Sequence, residues 1–157
     1  MALAVPPDGG PTTPPTAAGE PKRLRLVRPA ALPRSPELSV VIVNFCQWRN
    51  TARLARQLRR SLAVRSGFAE LVVVDNHSPF HPVVRRLKRL AGVTVRGFNR
   101  NHGFAKAVNR GSELGKGKWI LLLNPDVTVE DGFLDDAIAA IDRMEDGGPH
   151  AGVVGFR

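Results

Sequence analysis

Residues 119–126 read WILLLNPD, and this passage decides what kind of fold the chain adopts. Five consecutive apolar residues, Trp119 to Leu123, have the length of a strand and lack the alternation of a half-exposed one. They are expected to be buried on both faces. The run stops at Asn124-Pro125-Asp126. Proline fixes its own φ and keeps the preceding residue extended, so an amide and a carboxylate are presented in a set geometry at the strand's end. Strands buried on both faces belong to parallel sheets covered by helices, and such sheets keep their ligands beyond the C-terminal strand ends.

The rest of the sequence repeats this plan. Ser39 to Asn44 (SVVIVN), Glu70 to Asp75 (ELVVVD) and Val93 to Val95 read as further strands, with Ala151 to Phe156 (AGVVGF) as a fifth. Helices alternate with them. Asn50 or Thr51 is placed to cap the first, whose Leu54, Leu58 and Leu62 share a face. Val83, Val84, Leu87 and Leu90 mark a second helix ending at Gly92. A third begins near Phe104, and Asp131 to Met144 forms a fourth. Strand–helix alternation at this spacing predicts an α/β, Rossmann-like, largely parallel sheet flanked by helices. Asn44, Asp75, the loop around Asn99 and Asn124/Asp126 then all fall at one edge.

The first 36 residues differ from the remainder: they hold nine of the thirteen prolines and no periodic apolar pattern. They read as a Pro-rich basic tail that does not join a core, leaving residues 37–157 as one domain. No basic start leads into an apolar stretch, so no secretory signal is expected. No run approaches the roughly 20 residues that span a bilayer. The single Cys46 rules out an internal disulfide and a multi-cysteine zinc site, and is expected as a small buried residue. A cytoplasmic protein fits these features, and the basic segments Lys22 to Arg34 and Arg53 to Arg60 add peripheral contact at the inner membrane face as an expectation.

Charge is segregated. Asn44 to Lys118 holds sixteen Lys/Arg against three Asp/Glu, a balance of +13, while Asp126 to Asp146 holds eight acids against one arginine, a balance of −7. Arg53, Arg56, Arg59 and Arg60 follow helical spacing without interleaved aromatics. They read first as a solvated helix face, with nucleic acid not the expected partner.

Several chemistries are excluded by absence. No GxGxxG follows the first strand, and the chain contains no GxxxxGK[ST] and no GxSxG. What remains is Asp75 closing one strand and Asn124-Pro125-Asp126 closing another. A strand-end carboxylate can accept the imino N–H of a uracil or thymine ring. A second carboxylate, Asp126, can hold a hard divalent cation that bridges a diphosphate.

Taken in order, SVVIVNF, LVVVDNHS, FNRNHGFAKAVNRG and WILLLNPDV resemble the N-terminal half of family 2 glycosyltransferases, in the rhamnosyl- and galactofuranosyltransferase-like branch. The resemblance covers residues 37–157. It implies an A-type glycosyltransferase fold, here shortened, and inverting transfer of a sugar from a UDP- or dTDP-linked donor with Mn2+ or Mg2+. By the same resemblance Asp75 matches the base-reading aspartate, and Asp126 is the retained carboxylate of the metal motif, with Asn124 replacing its first acid. Asn99, Gly103 and Lys106 fall in the block lining the donor pocket, and Asn44 either contacts the nucleoside or caps its loop. Gly103 opens a helix whose N–H groups suit phosphate.

The family's later half supplies acceptor contacts and the base that deprotonates the acceptor hydroxyl. Glu130, Asp131, Asp135 and Asp136 read instead as acids of a first helical turn, so the catalytic base is unassigned. The expected partners are a nucleotide sugar, a glycan or lipid-linked acceptor, and a partner chain carrying the later half. Two alternatives stand beside the enzyme: a non-catalytic remnant or split half that binds nucleotide sugar or a partner chain, and a basic module binding nucleic acid or anionic membrane.

Overall fold

The structure, a computed structural model, describes residues 35–147. Within them four strands form one sheet: β1 (Leu38–Asn44), β2 (Ala69–Asp75), β3 (Val93–Gly97) and β4 (Trp119–Leu123), in the order β3-β2-β1-β4. All pairings are parallel. Between and after them lie α1 (Trp48–Leu58), α2 (Leu62–Arg65), α3 (Val83–Leu87), α4 (Phe104–Leu114) and α5 (Phe133–Gly147). The expected fifth strand, Ala151 to Phe156, lies outside the described residues.

β1 is the central post, buried at all seven positions. Its Val40 and Ile42 face a core closed by Leu54, Leu58, Val83, Leu87 and Leu134, so α1, α3 and α5 share one side of the sheet. Val41, Val43, Val72 and Val74 face the other side, where Ala107 of α4 covers them. This explains why β1 and β2 lack alternation: both are apolar toward two helical layers. Close approach of α4 depends on Gly111, where a Cβ would stand 2.3 Å from Val41 Cγ1. β4 departs from the expected burial on both faces: α4 lies over β1 and β2, so at the sheet edge Ile120 and Leu122 stay about 40% exposed while Leu121 is buried on the other side.

Register aligns the strand ends. Asn44 pairs with Asp75, Asp75 with Gly97, and Ile42 with Leu123. The chain runs from β1 outward to β2 and β3, then crosses back through α4 to β4 on the far side of β1. The direction of winding therefore reverses between β1 and β4, and a crevice opens there at the C-terminal edge.

Several expected details are corrected. α1 starts at Trp48 after Gln47, so Asn50 and Thr51 lie inside it rather than capping it; the Thr51 hydroxyl is instead directed to Asn44. Leu62 does not continue the Leu54–Leu58 face. Ser61 breaks the helix with ψ 149° and accepts from the Val64 amide, capping the separate α2 and leaving Leu62 69% exposed. α3 ends at Leu87 rather than near Gly92, the intervening residues forming turns. Cys46 is exposed rather than buried, because the tight turn after β1 holds it at φ 55° with its amide bonded to Ser78 Oγ.

Candidate functional site

The C-terminal ends of β1 and β2 are tied by a polar knot. Asn44, fully buried, donates through Nδ2 to Asp75 Oδ1 at 2.7 Å and to Ser78 Oγ at 2.9 Å, and its Oδ1 accepts from the Thr51 hydroxyl at 2.7 Å. Ser78 completes the knot. Its backbone N–H donates to Asp75 Oδ2 at 3.1 Å and its hydroxyl to Asp75 Oδ1, while its oxygen accepts from the Cys46 amide. Every polar atom of the Asn44 amide group is thus engaged, as burial requires. Asn44 supports the site from beneath. Asp75 remains half-buried, with its carboxylate held in one orientation by three donors.

A second knot joins β2 to the loop before α4. Asn76, almost fully buried, donates to Asn101 Oδ1 at 2.8 Å and accepts from the His102 amide at 2.9 Å. Asn101 Oδ1 also accepts from the Gly103 amide at 2.8 Å. The chain enters α4 through Gly103 at φ 83°, a conformation that glycine adopts without strain. α4 has no side-chain cap and no acid in its first turn, so its leading N–H groups are available to an anion.

Between these loops and β4 lies a cleft of about 400 Å³. After β1 it is lined by Phe45 and Gln47, after β2 by Asn76, before α4 by Asn101, Gly103 and Phe104, and after β4 by Asn124, Pro125 and Asp126. Pro125 is buried while Asn124 and Asp126 are exposed, the arrangement that a proline between two ligating groups would hold. Arg53 of α1 steadies this turn from outside: its Nη2 donates to the carbonyl oxygens of Asp126 at 3.0 Å and Val127 at 3.2 Å.

Of the residues singled out in the sequence, Gly103, Asn124 and Asp126 meet in the cleft. Asn44 and Asp75 sit together beside it. Asn99 and Lys106 are exposed and do not line it. Sequence reading missed Asn76, Ser78, Asn101 and Arg53. The first two follow β2 directly, but Asn76 acts through Asn101 and His102, and Ser78 joins its neighbour Asp75 to Asn44 and Cys46 across more than 30 residues. His102 packs edge-on against Phe98, with centroids 4.8 Å apart. Desolvation of its imidazole, then the positive charges of Lys106 and Arg100, hold its pKa below the ordinary 6.5.

No three His, Cys, Asp or Glu side chains converge among the described residues, so this part of the chain does not enclose a metal by itself. A hard divalent ion does not need that. Magnesium-like ions bind through one or two carboxylates plus substrate phosphates and water, and the Asp126 carboxylate with the Asn124 amide oxygen fits that donor set.

Comparison with solved structures places the architecture. S. aureus TarS, residues 1–349, superposes with a TM-score of 0.62 at 22% identity, over 69% of this chain and 33% of that one; it has also been solved with UDP-GlcNAc and with UDP. The mannosyltransferase PcManGT from Pyrobaculum calidifontis, solved with GDP-Man and Mn2+, gives 0.59 at 19% identity, over 66% of this chain and 32% of that one. The chain spans about a third of the length of these relatives. No curated protein matches it. The shared layout is the A-type glycosyltransferase fold. The glycosyl transferase family 2 model matches residues 39–156, which takes in β2, β3, β4 and all of β1 but Leu38, and the chain belongs to that family.

Proposed function

We propose that this chain forms the donor-binding half of a nucleotide-sugar-dependent glycosyltransferase. One observation carries the reading: Gly103 at the open N-terminus of α4 and Asp126 after β4 line the same cleft at the winding reversal. The α4 amides would neutralise diphosphate oxygens. Asp126, with Asn124, would hold the divalent ion, whose contribution is to offset charge on the departing nucleoside diphosphate. Asp75, fixed by Asn44 and Ser78, is the acceptor for a base N–H, which suits the UDP- or dTDP-linked donors inferred from the family resemblance. A relative solved with UDP-GlcNAc and another with GDP-Man and Mn2+ support a nucleotide-sugar donor and a divalent ion.

Inverting transfer to a glycan or lipid-linked acceptor needs a carboxylate base near the sugar. Asp126 is the one acid in the cleft lining. Glu130, Asp131 and Asp135 line a different, smaller cavity with Gln57 and Arg60, and Asp135 is engaged by the Ala63 amide. We assign the base to residues beyond those described or to a partner chain. Among the described residues no helix is long and apolar enough to cross a membrane.

Calorimetric titration of UDP, dTDP and GDP, with and without Mn2+, tests the reading. Metal-dependent binding that disappears in Asp126→Ala supports it. A folded chain that binds no nucleotide in any condition contradicts it.

A further inference from the structure

The layer built by α1 and α3 is rich in positive charge, and the acids nearest it among the described residues gather at its α2 end, where Glu130, Asp131 and Asp135 share a cavity with Arg60 and Leu62. From Phe45 to Ala69 the sequence has six arginines and no acid; from Pro79 to Gly92 it has three arginines, one lysine and no acid. On α1 and the turn after it, Arg49, Arg53, Arg56 and Arg60 are exposed, opposite the buried Thr51, Leu54, Ala55 and Leu58. On α3 and the turn after it, Arg85, Arg86, Lys88 and Arg89 are exposed, opposite Val83 and Leu87. Leu54, Leu58, Val83 and Leu87 enter the same core, so the two basic stripes face outward together on one side of the sheet. Arg59 stitches the layer, its Nε donating to the Ala91 carbonyl at 3.3 Å. Among the described residues no carboxylate pairs with any of these side chains.

Two large apolar side chains stand at the rims of this layer, and they are the most exposed of their kind among the described residues: Phe80 at 72% and Leu62 at 69%. Phe80 precedes α3, lies under the Arg85 guanidinium at 5.6 Å, and shares a cleft with Trp48 and Arg49 at the start of α1. Leu62 opens α2, two residues after Arg60 at the other end of α1, where it lines a cavity with Glu130, Asp131 and Asp135; that acidic end is not suited to an anionic surface, which leaves Phe80 as the apolar rim of the basic face. A surface that follows a nucleic acid backbone gains from aromatics repeated at base spacing, which this layer lacks. An apolar side chain bordering a basic face is the pattern of a surface lying in a lipid interface, with arginines on phosphates and the apolar side chain among the acyl chains.

We propose that the α1–α3 face docks this protein on an anionic lipid bilayer, its arginines on headgroup phosphates and Phe80 inserted at the rim away from the α5 acids. The inference stands apart from the donor-site reading. The hydrogen bond from Arg53 to the Asp126 carbonyl joins this face to the turn that lines the cleft.

Co-sedimentation of the full chain with phosphatidylcholine vesicles, pure or mixed with phosphatidylglycerol, tests it. Binding is expected to the mixed vesicles only and to weaken with salt. The combined variant Arg56→Gln, Arg60→Gln, Arg86→Gln, Arg89→Gln is expected to lower partitioning at least about a hundredfold. Phe80→Ser, at an exposed position that does not support the core, lowers it about tenfold while keeping the circular dichroism of the parent. Equal binding to neutral vesicles, or no vesicle binding, overturns the proposal. So does tighter binding to single-stranded RNA that ignores Phe80, which would make the face a nucleic-acid surface.

Discussion

The Asn44 amide donates to Asp75 Oδ1 at 2.7 Å across the pair of residues that closes the β1–β2 ladder. A buried amide thereby fixes the direction of a half-buried carboxylate at the edge where the cleft opens. Asn44→Ala strips Asp75, Ser78 and the Thr51 hydroxyl of a partner at once. The expected loss is about 2–4 kcal/mol in urea denaturation, since unsatisfied buried groups cost more than the hydrogen bond itself contributes. Nucleotide affinity should fall further than stability alone explains, because Asp75 loses its orientation.

Gly111→Ala separates packing from helix propensity. Alanine favours a helix interior by about 1 kcal/mol over glycine. Here its Cβ would meet Val41 Cγ1 at 2.3 Å, with Val74 Cγ2 at 3.3 Å behind it, and overpacking costs about 1–3 kcal/mol. A lowered melting temperature is expected. An unchanged or raised one would show that α4 can lift off the sheet without penalty.

Arg53→Ala tests whether the turn after β4 needs its outside brace. Arg53 is exposed and bonds only to the Asp126 and Val127 carbonyls, so the stability change should stay under about 1 kcal/mol. Metal-dependent nucleotide affinity should drop about fivefold to tenfold, about 1–1.4 kcal/mol of lost preorganisation. An unaltered affinity would mean that Pro125 suffices to hold the turn.

His102 offers a pH signature. Folding lowers its pKa below 6.5, so the unfolded chain binds the proton more readily. Its contribution is complete above pH 6.5 and is lost as the pH falls through that value toward the folded pKa. Proton NMR titration of the imidazole should give a value below 6.5 that rises in Lys106→Ala, which removes one of the repelling charges.

Much of the fold was legible because β1, β2 and β4 are uninterrupted apolar runs with a polar residue at each C-terminal end. Their positions in the sequence place Asn44, Asp75 and Asp126 at one edge without further information. Helix limits were less so. Leu62 continues the spacing of Leu54 and Leu58, and only the competing cap at Ser61 turns it out to solvent. Within the site, Asn124, Asp126 and Gly103 announced themselves by strand ends and by glycine. Asn76, Asn101 and Arg53 did not, since Asn76 and Asn101 meet across 25 residues and Arg53 meets its carbonyl partners across 73 and 74. Asn99 and Lys106 sit in the right segment, yet the loop geometry set by Asn101 and Gly103 leaves both outside the cleft.

A metal–nucleotide complex seated between the β4 turn and the start of α4 leaves a paramagnetic signature. Trace Mn2+ is added to the labelled chain with UDP and the amide spectrum followed. Selective loss of signals from Asn124, Asp126, Val127, Gly103 and Phe104 is expected, abolished in Asp126→Ala. Broadening centred instead on Glu130 to Asp136, the acidic start of α5, would place the ion elsewhere and rule out this seat.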